Sequence, residues 1–285
     1  MAFSALAIRR PILLAGLLFL AQSLAQSLAQ SAWAELMLHP TRLVFDKNQR
    51  AAQIELINNG STPATYRISL VNRRMLENGQ FEAIETPAPG EQFADPMLRY
   101  SPRQITLRPG SAQTVRVMLR KPAELADGEY RSHLQFERLP EAEGSTSIES
   151  QAGGKDIGVV LNTLIGASVP VIVRHGATAA TVRLSGLALA REGKQPVLAL
   201  QFDREGSSSV YGDLAVSFTP RGGKPQQLAL VGGIAVYTPN RSRKAAVPLQ
   251  VPSGNALAHG TIEASYRDRP EAGGKVLAQA TLELP

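Results

Sequence analysis

From Ile157 to Val173 the odd-numbered residues, Ile157, Val159, Leu161, Thr163, Ile165, Ala167, Val169, Val171 and Val173, form one apolar edge broken only by a threonine. Such a period demands extended backbone, because alternate side chains of a strand share a face. At roughly 3.3 Å per residue the segment would span about 55 Å, against about 17–20 Å for an ordinary strand. One sandwich cannot use all of it, and the surplus half is a surface for a partner.

The rest of the chain follows the same period. Ile54 and Leu56 alternate with Gln53 and Glu55, Tyr66, Ile68 and Leu70 with Arg67 and Ser69, and Val115 and Val117 with Thr114 and Arg116. Tyr130, Ser132, Leu134 and Phe136 share a face opposite Glu129, Arg131, His133, Gln135 and Glu137, the pattern of a strand with one dry and one wet face. On that pattern His133 is expected in solvent. Helical periodicity is nearly absent, so the class is all-β.

Turn chemistry separates the runs. Asn59-Gly60, Asn78-Gly79 and Pro109-Gly110 are expected to supply tight turns, the two Asn-Gly pairs through positive φ. Asp127-Gly128-Glu129-Tyr130 has the form either of a corner in which a tyrosine hydroxyl bonds back to the backbone at the start of a sandwich strand or of a plain core tyrosine. Between Pro140 and Asp156 large apolar side chains almost vanish, which predicts a loop leading into the long edge. A second series begins at Val182 and Leu184, runs through Leu198, Leu200, Phe202, Leu214, Val216 and Phe218, and closes with Ile262, Ala264, Tyr266, Ala278, Ala280, Leu282 and Leu284. Gly222-Gly223, Gly232-Gly233 and Gly273-Gly274 are expected to mark its loops.

The N-terminus reads as an export signal. Arg9 and Arg10 precede the apolar run Ile12 to Ala21, and Ala32-Trp33-Ala34 offers a small-residue cleavage site, so residues 1–34 are expected to be removed. Gln22, Ser23, Gln26 and Ser27 interrupt the run well short of the roughly 20 apolar residues of a membrane span. Pro11 directly after the arginines argues for ordinary secretion over export in the folded state. The remaining length suits two domains, residues 35–175 and 176–285, and an exported chain with no cysteine points to a Gram-negative periplasm.

Composition narrows the function. Loss of Arg9 and Arg10 from 30 Lys and Arg leaves 28 against 24 Asp and Glu, a net +4, with the basic residues scattered and aromatics at 5%. Neither an electrostatic stripe nor a stacking platform for nucleic acid is present. The four histidines, His39, His133, His175 and His259, have no metal-binding spacing, and no serine elbow occurs. Gly153-Gly154-Lys155 and Gly222-Gly223-Lys224 lack the strand and helix that make a phosphate loop. The expectation is a non-enzyme with no cofactor, no metal and no small-molecule substrate.

Pro40-Thr41-Arg42-Leu43-Val44-Phe45, the run Ile105 to Gly110, Val115-Arg116-Val117, Asp127-Gly128-Glu129 and Leu139-Pro140, taken in order, resemble the periplasmic pilus-assembly chaperones of the PapD type. The resemblance covers most of residues 36–175, and the second half agrees in length, β character and position. It implies two immunoglobulin-like β-sandwich domains in a boomerang arrangement. It also implies that the last strand of the first domain lends alternate apolar side chains to a pilin or fimbrial subunit that lacks a strand. A gapless match from Arg174 places the lent face at Val159, Leu161, Thr163 and Ile165, where Thr163 departs from the large apolar group expected and implies a shallower fit.

The resemblance further implies that Arg42 anchors the subunit's terminal carboxylate beside a lysine of the long strand. Here that lysine is missing: its place falls at Pro170, with Ser168 the neighbour on the same face. Glu129 and Arg174 match a pair that sets the angle between the domains, without a matching acidic third member in the second half. Three aliphatic side chains at about 1.5–3 kcal/mol each do not by themselves exceed the cost of association. Further contacts such as the anchor are therefore required.

The leading expectation is a periplasmic chaperone that caps pilus subunits by donor-strand complementation and delivers them to an outer-membrane usher. Its exposed apolar edge also predicts a self-capping homodimer when no client is bound. The alternative is a structural or surface component of an envelope complex built from the same modules. A sandwich hydrolase or carbohydrate-binding enzyme ranks third, since no acid/base pair or nucleophile can be named.

Overall fold

The computed structural model describes residues 36–140, 166–252 and 257–285. The expected signal at 1–34 and the expected donor positions Val159, Leu161, Thr163 and Ile165 lie outside the described residues.

Ten strands build the first sandwich: β1 (Leu36–His39), β2 (Leu43–Phe45), β3 (Ala51–Asn58), β4 (Ala64–Met75), β5 (Phe81–Ile84), β6 (Leu98–Ser101), β7 (Gln104–Leu107), β8 (Ala112–Leu119), β9 (Gly128–Arg138) and β10 (Gly166–His175). One sheet runs β1-β3-β8-β6 and the other β2-β10-β9-β4-β5, with β7 also paired to β4. Ile54, Leu56, Val115 and Val117 from the first sheet meet Tyr66, Ile68, Leu134, Phe136, Val169, Val171 and Val173 from the second in one core. The chain enters in one sheet as β1 and crosses to the other as β2, where it runs parallel to β10.

Seven strands build the second sandwich: β11 (Ala180–Glu192), β12 (Gln195–Gly206), β13 (Val210–Pro220), β14 (Gln226–Val236), β15 (Ser242–Pro248), β16 (Gly260–Arg267) and β17 (Val276–Leu284). The sheets are β11-β12-β15 and β14-β13-β16-β17. Leu184, Leu198, Phe202, Leu214, Val216, Ile262 and Tyr266 form the centre of its core, with Phe202 and Tyr266 in edge contact at 5.0 Å. Both units are immunoglobulin-like β-sandwiches.

Several local expectations are corrected. Gly60 has no positive φ; the buried side chain of Asn58 makes that turn, accepting from Gly60 N at 2.9 Å and donating to Thr62 and Leu107 carbonyls. Gly79 and Gly110 do lie in the left-handed region. Gly232-Gly233 is not a loop but a bulge inside β14, where Gly233, at φ 73°, donates its N–H to Asp213 at 2.8 Å. Ala278, Ala280, Leu282 and Leu284 are only half-buried, because β17 is the edge of its sheet.

The largest correction concerns β9. From Gly128 to Leu134 it is buried on both faces, so the expected wet face of Glu129, Arg131 and His133 does not exist. That face is covered by the second sandwich and by the β4–β5 hairpin. A satellite cluster of Met75, Ile172, Ala235 and Tyr237, flanked by Val44 and Tyr211, fills the joint.

Tyr130 adopts the corner expected of it, donating its hydroxyl to Ala126 O at 2.9 Å. Tyr130→Phe should therefore cost about 0.5–1.5 kcal/mol. A urea midpoint lowered at unchanged slope checks this, and an unchanged midpoint would show that the bond contributes nothing.

Candidate functional site

Strand pairing brings Glu129 and Arg174 face to face, since β10 lies antiparallel to β9 with these two residues directly opposed. Arg174 Nε donates to Glu129 Oε2 at 3.1 Å, and the Glu129 side chain has no exposure to water. A carboxylate in that position needs more than one donor. The others come from the second sandwich: Ser209 N donates to Oε2 at 3.0 Å, and Ser209 Oγ donates to Oε1. Ser209 Oγ in turn accepts from Thr238 N at 3.1 Å. The pair is thus not a surface ion pair. Its third member is a serine, not an acid.

Arg204 shapes the loop that presents Ser209. Its buried guanidinium donates to Gly206 O and Ser208 O at 2.8 Å each, and to Asn240 O at 2.8 Å. It gathers carbonyls and no carboxylate, and burial pulls its pKa below the usual arginine value. Nothing in Gly206-Ser207-Ser208-Ser209 signals this role in sequence, where it reads as a loop.

On the other flank the β4–β5 hairpin reaches across to the second sandwich. Lys244 N donates to Glu77 O at 2.7 Å, Asn240 Nδ2 to Met75 O at 2.7 Å, and Ser242 Oγ to Glu77 Oε1 at 3.1 Å. Phe81 stands 5.4 Å from the His133 ring, edge to face, and 6.0 Å from Tyr237. Cross-strand neighbours Val71 and Pro170 flank His133 in the sheet, and neither of its ring nitrogens has a hydrogen-bond partner. Burial first, then the charges of Arg131 and Arg73, push its pKa down to about 3.

Between the two sandwiches lies a cleft of about 930 Å³ whose walls include Arg42, Arg174, Tyr211 and Arg269. Arg42 sits in the β1–β2 turn. Because Leu43 pairs with Val171 in the parallel register, Arg42 comes level with Pro170, the position that lacks the expected lysine. It is half-buried, not a solvated edge charge: its guanidinium lies 4.5 Å from the Tyr211 ring centroid and 5.7 Å from that of Tyr237. Its Nε and Nη1 are buried with no hydrogen-bond partner. Arg131 packs on Tyr237 at 4.3 Å, so that buried ring serves two cations. Ser168 is exposed on β10, and Val159, Leu161, Thr163 and Ile165 fall outside the described residues.

Beyond Val171–Val173, β10 has no second neighbour among the described residues: β9 pairs with it from Gly166 to His175, while β2 pairs with only three residues. Residues 166–170 therefore have one edge without a partner strand among the described residues. Among the described residues no group of three or more His, Asp or Glu could hold a metal ion.

Residues 35–174 match a family model described as pili and flagellar-assembly chaperone, PapD N-terminal domain. No curated protein matches the chain significantly. Among solved structures, the CsuC–CsuE chaperone–tip adhesion subunit pre-assembly complex of Acinetobacter baumannii is similar at 13% identity and TM-score 0.44, over 88% of this chain and 98% of that one. The CupB2 chaperone of Pseudomonas aeruginosa is similar at 12% identity and TM-score 0.43, over 87% and 100%. The SafB chaperone with SafA pilin of Salmonella enterica is similar at 17% identity and TM-score 0.40, over 89% and 98%.

The unfolded histidine titrates near 6.5 and the buried His133 near 3. Between those values the unfolded chain binds a proton that the folded chain refuses, so stability is complete above pH 6.5 and is lost as pH falls towards 3. Relative to His133→Leu, the wild type should lose stability below pH 6.5 with a slope approaching about 1.4 kcal/mol per pH unit. Denaturant titrations of both proteins from pH 7 to 4.5 check this; parallel curves would contradict a neutral, buried imidazole.

Proposed function

This chain belongs, through residues 35–174, to the PapD family of pili and flagellar-assembly chaperones, and on that premise we propose that it is a periplasmic chaperone that caps pilus or fimbrial subunits by lending them a strand. The family's members assemble pili and are not enzymes. The observation that carries the reading is the open edge of β10. Its inner half, Val169, Val171 and Val173, is buried in the chain's own core, while the edge from residue 166 to 170 has no second strand paired to it among the described residues.

Upstream of that edge the odd-numbered series continues through Ile165, Thr163, Leu161 and Val159. These are the side chains proposed to fill the client's groove, with Thr163 seated least deeply. Arg42, level with Pro170 at the inner end of the open edge and carrying two buried unpartnered nitrogens, is proposed to take the client's terminal carboxylate. Glu129, Arg174 and Ser209 hold the sandwiches at the angle that keeps Arg42 in the cleft. Delivery of the capped subunit to an outer-membrane usher completes the proposed role. In the absence of client a second copy pairs with the same edge.

A pull-down from periplasm tests this. Arg42→Ala and Leu161→Asp should each reduce recovery of the bound subunit by tenfold or more, since each removes a contact worth about 1.5–3 kcal/mol. Retention at wild-type level by both variants would sink the mechanism.

A further inference from the structure

The missing lysine leaves Arg42 without a companion in its own sheet, and the cleft supplies another cation from the opposite wall. Arg269 follows β16 in the second sandwich and lines the same cleft. Its guanidinium lies 5.7 Å from the Tyr211 ring centroid, the ring that Arg42 approaches at 4.5 Å. The two cations are therefore brought to one aromatic side chain from different sandwiches. Arg269 Nη1 donates to the Tyr211 hydroxyl at 3.1 Å, which orients it.

Its Nε is buried and makes no hydrogen bond. The nearest acids are Glu271 at 3.6 Å and Asp213 at 3.8 Å. Neither claims it. The Glu271 side chain is 76% exposed, and Asp213 faces Arg269 with Oδ2 while its Oδ1 accepts from Gly233 N. Arg174, the remaining guanidinium of the cleft, is committed through its Nε to Glu129. Arg42 and Arg269 thus hold three buried guanidinium nitrogens, two on Arg42 and one on Arg269, that make no hydrogen bond. Buried donors without hydrogen bonds on two cations suit an anion with more than one acceptor oxygen.

We propose that Arg269 is the second cation of the carboxylate anchor, completing across the cleft what Pro170 cannot supply. This rests on the reading that Arg42 binds the client's chain terminus. One carboxylate oxygen takes Arg42 and the other takes Arg269, with Tyr211 orienting both guanidiniums. A bound terminus then ties the two sandwiches together, so client binding and the interdomain joint are coupled.

The test titrates the full chain with an N-acetylated peptide of alternating valine and threonine ending in phenylalanine, supplied as the free acid and as the C-terminal amide, by calorimetry at fixed ionic strength. Wild type should prefer the acid by roughly tenfold or more. Arg42→Ala should abolish the preference. Arg269→Met should abolish most of it, and Arg269→Lys, which keeps the charge, should restore part; thermal melts establish that each variant is folded. If Arg269→Met keeps the wild-type acid-to-amide ratio while Arg42→Ala loses it, the role of Arg269 is overturned and the anchoring by Arg42 stands. If wild type binds acid and amide equally, or binds neither, the anchoring reading falls and this inference falls with it.

Discussion

Glu129 carries a carboxylate out of water at the meeting point of two sandwiches, and the arrangement of both follows from the need to keep it supplied with donors. Arg174, one strand away, offers one hydrogen bond. Ser209 of the second sandwich offers two. A rotation that lost Ser209 while still excluding water would strand a buried charge, which is costly. The requirement for Ser209 as a donor therefore specifies the docked angle more sharply than apolar packing alone would.

The apolar cluster of Met75, Ile172, Ala235 and Tyr237 and the β4–β5 hairpin act on the same joint from the other flank. Together they bury a second face of β9, which explains why His133 sits unprotonated against Phe81. They also fix the walls of the cleft. Arg42 is held by tyrosine rings that belong to the second sandwich, so the first domain alone does not build the surroundings of this arginine.

How much of this is legible in the chain depends on whether the signal is local. The period of two, the Asn78-Gly79 and Pro109-Gly110 turns and the Tyr130 corner are local, and the strands, turns and hydroxyl bond they imply are present. The opposition of Arg174 and Glu129 is carried by the family resemblance and realised by strand register. Glu129, Arg131 and His133, by contrast, form a polar row with every local mark of a solvated face, and the second domain together with the β4–β5 hairpin packed on them makes it dry. Ser209 and Tyr211 sit in an ordinary turn and strand start, and Arg269 stands in a charged segment that resembles any surface loop.

Alternation and turn residues thus settle that this chain forms two all-β sandwiches, because side-chain direction in a strand is set by the backbone itself. Which polar side chains become buried, which serine donates to Glu129 and which tyrosine rings pack on Arg42 are decided by the docking of one sandwich on the other. The contact of Glu129 with Ser209 joins residues 80 positions apart and that of Arg42 with Tyr211 residues 169 apart, and no local period or propensity encodes them.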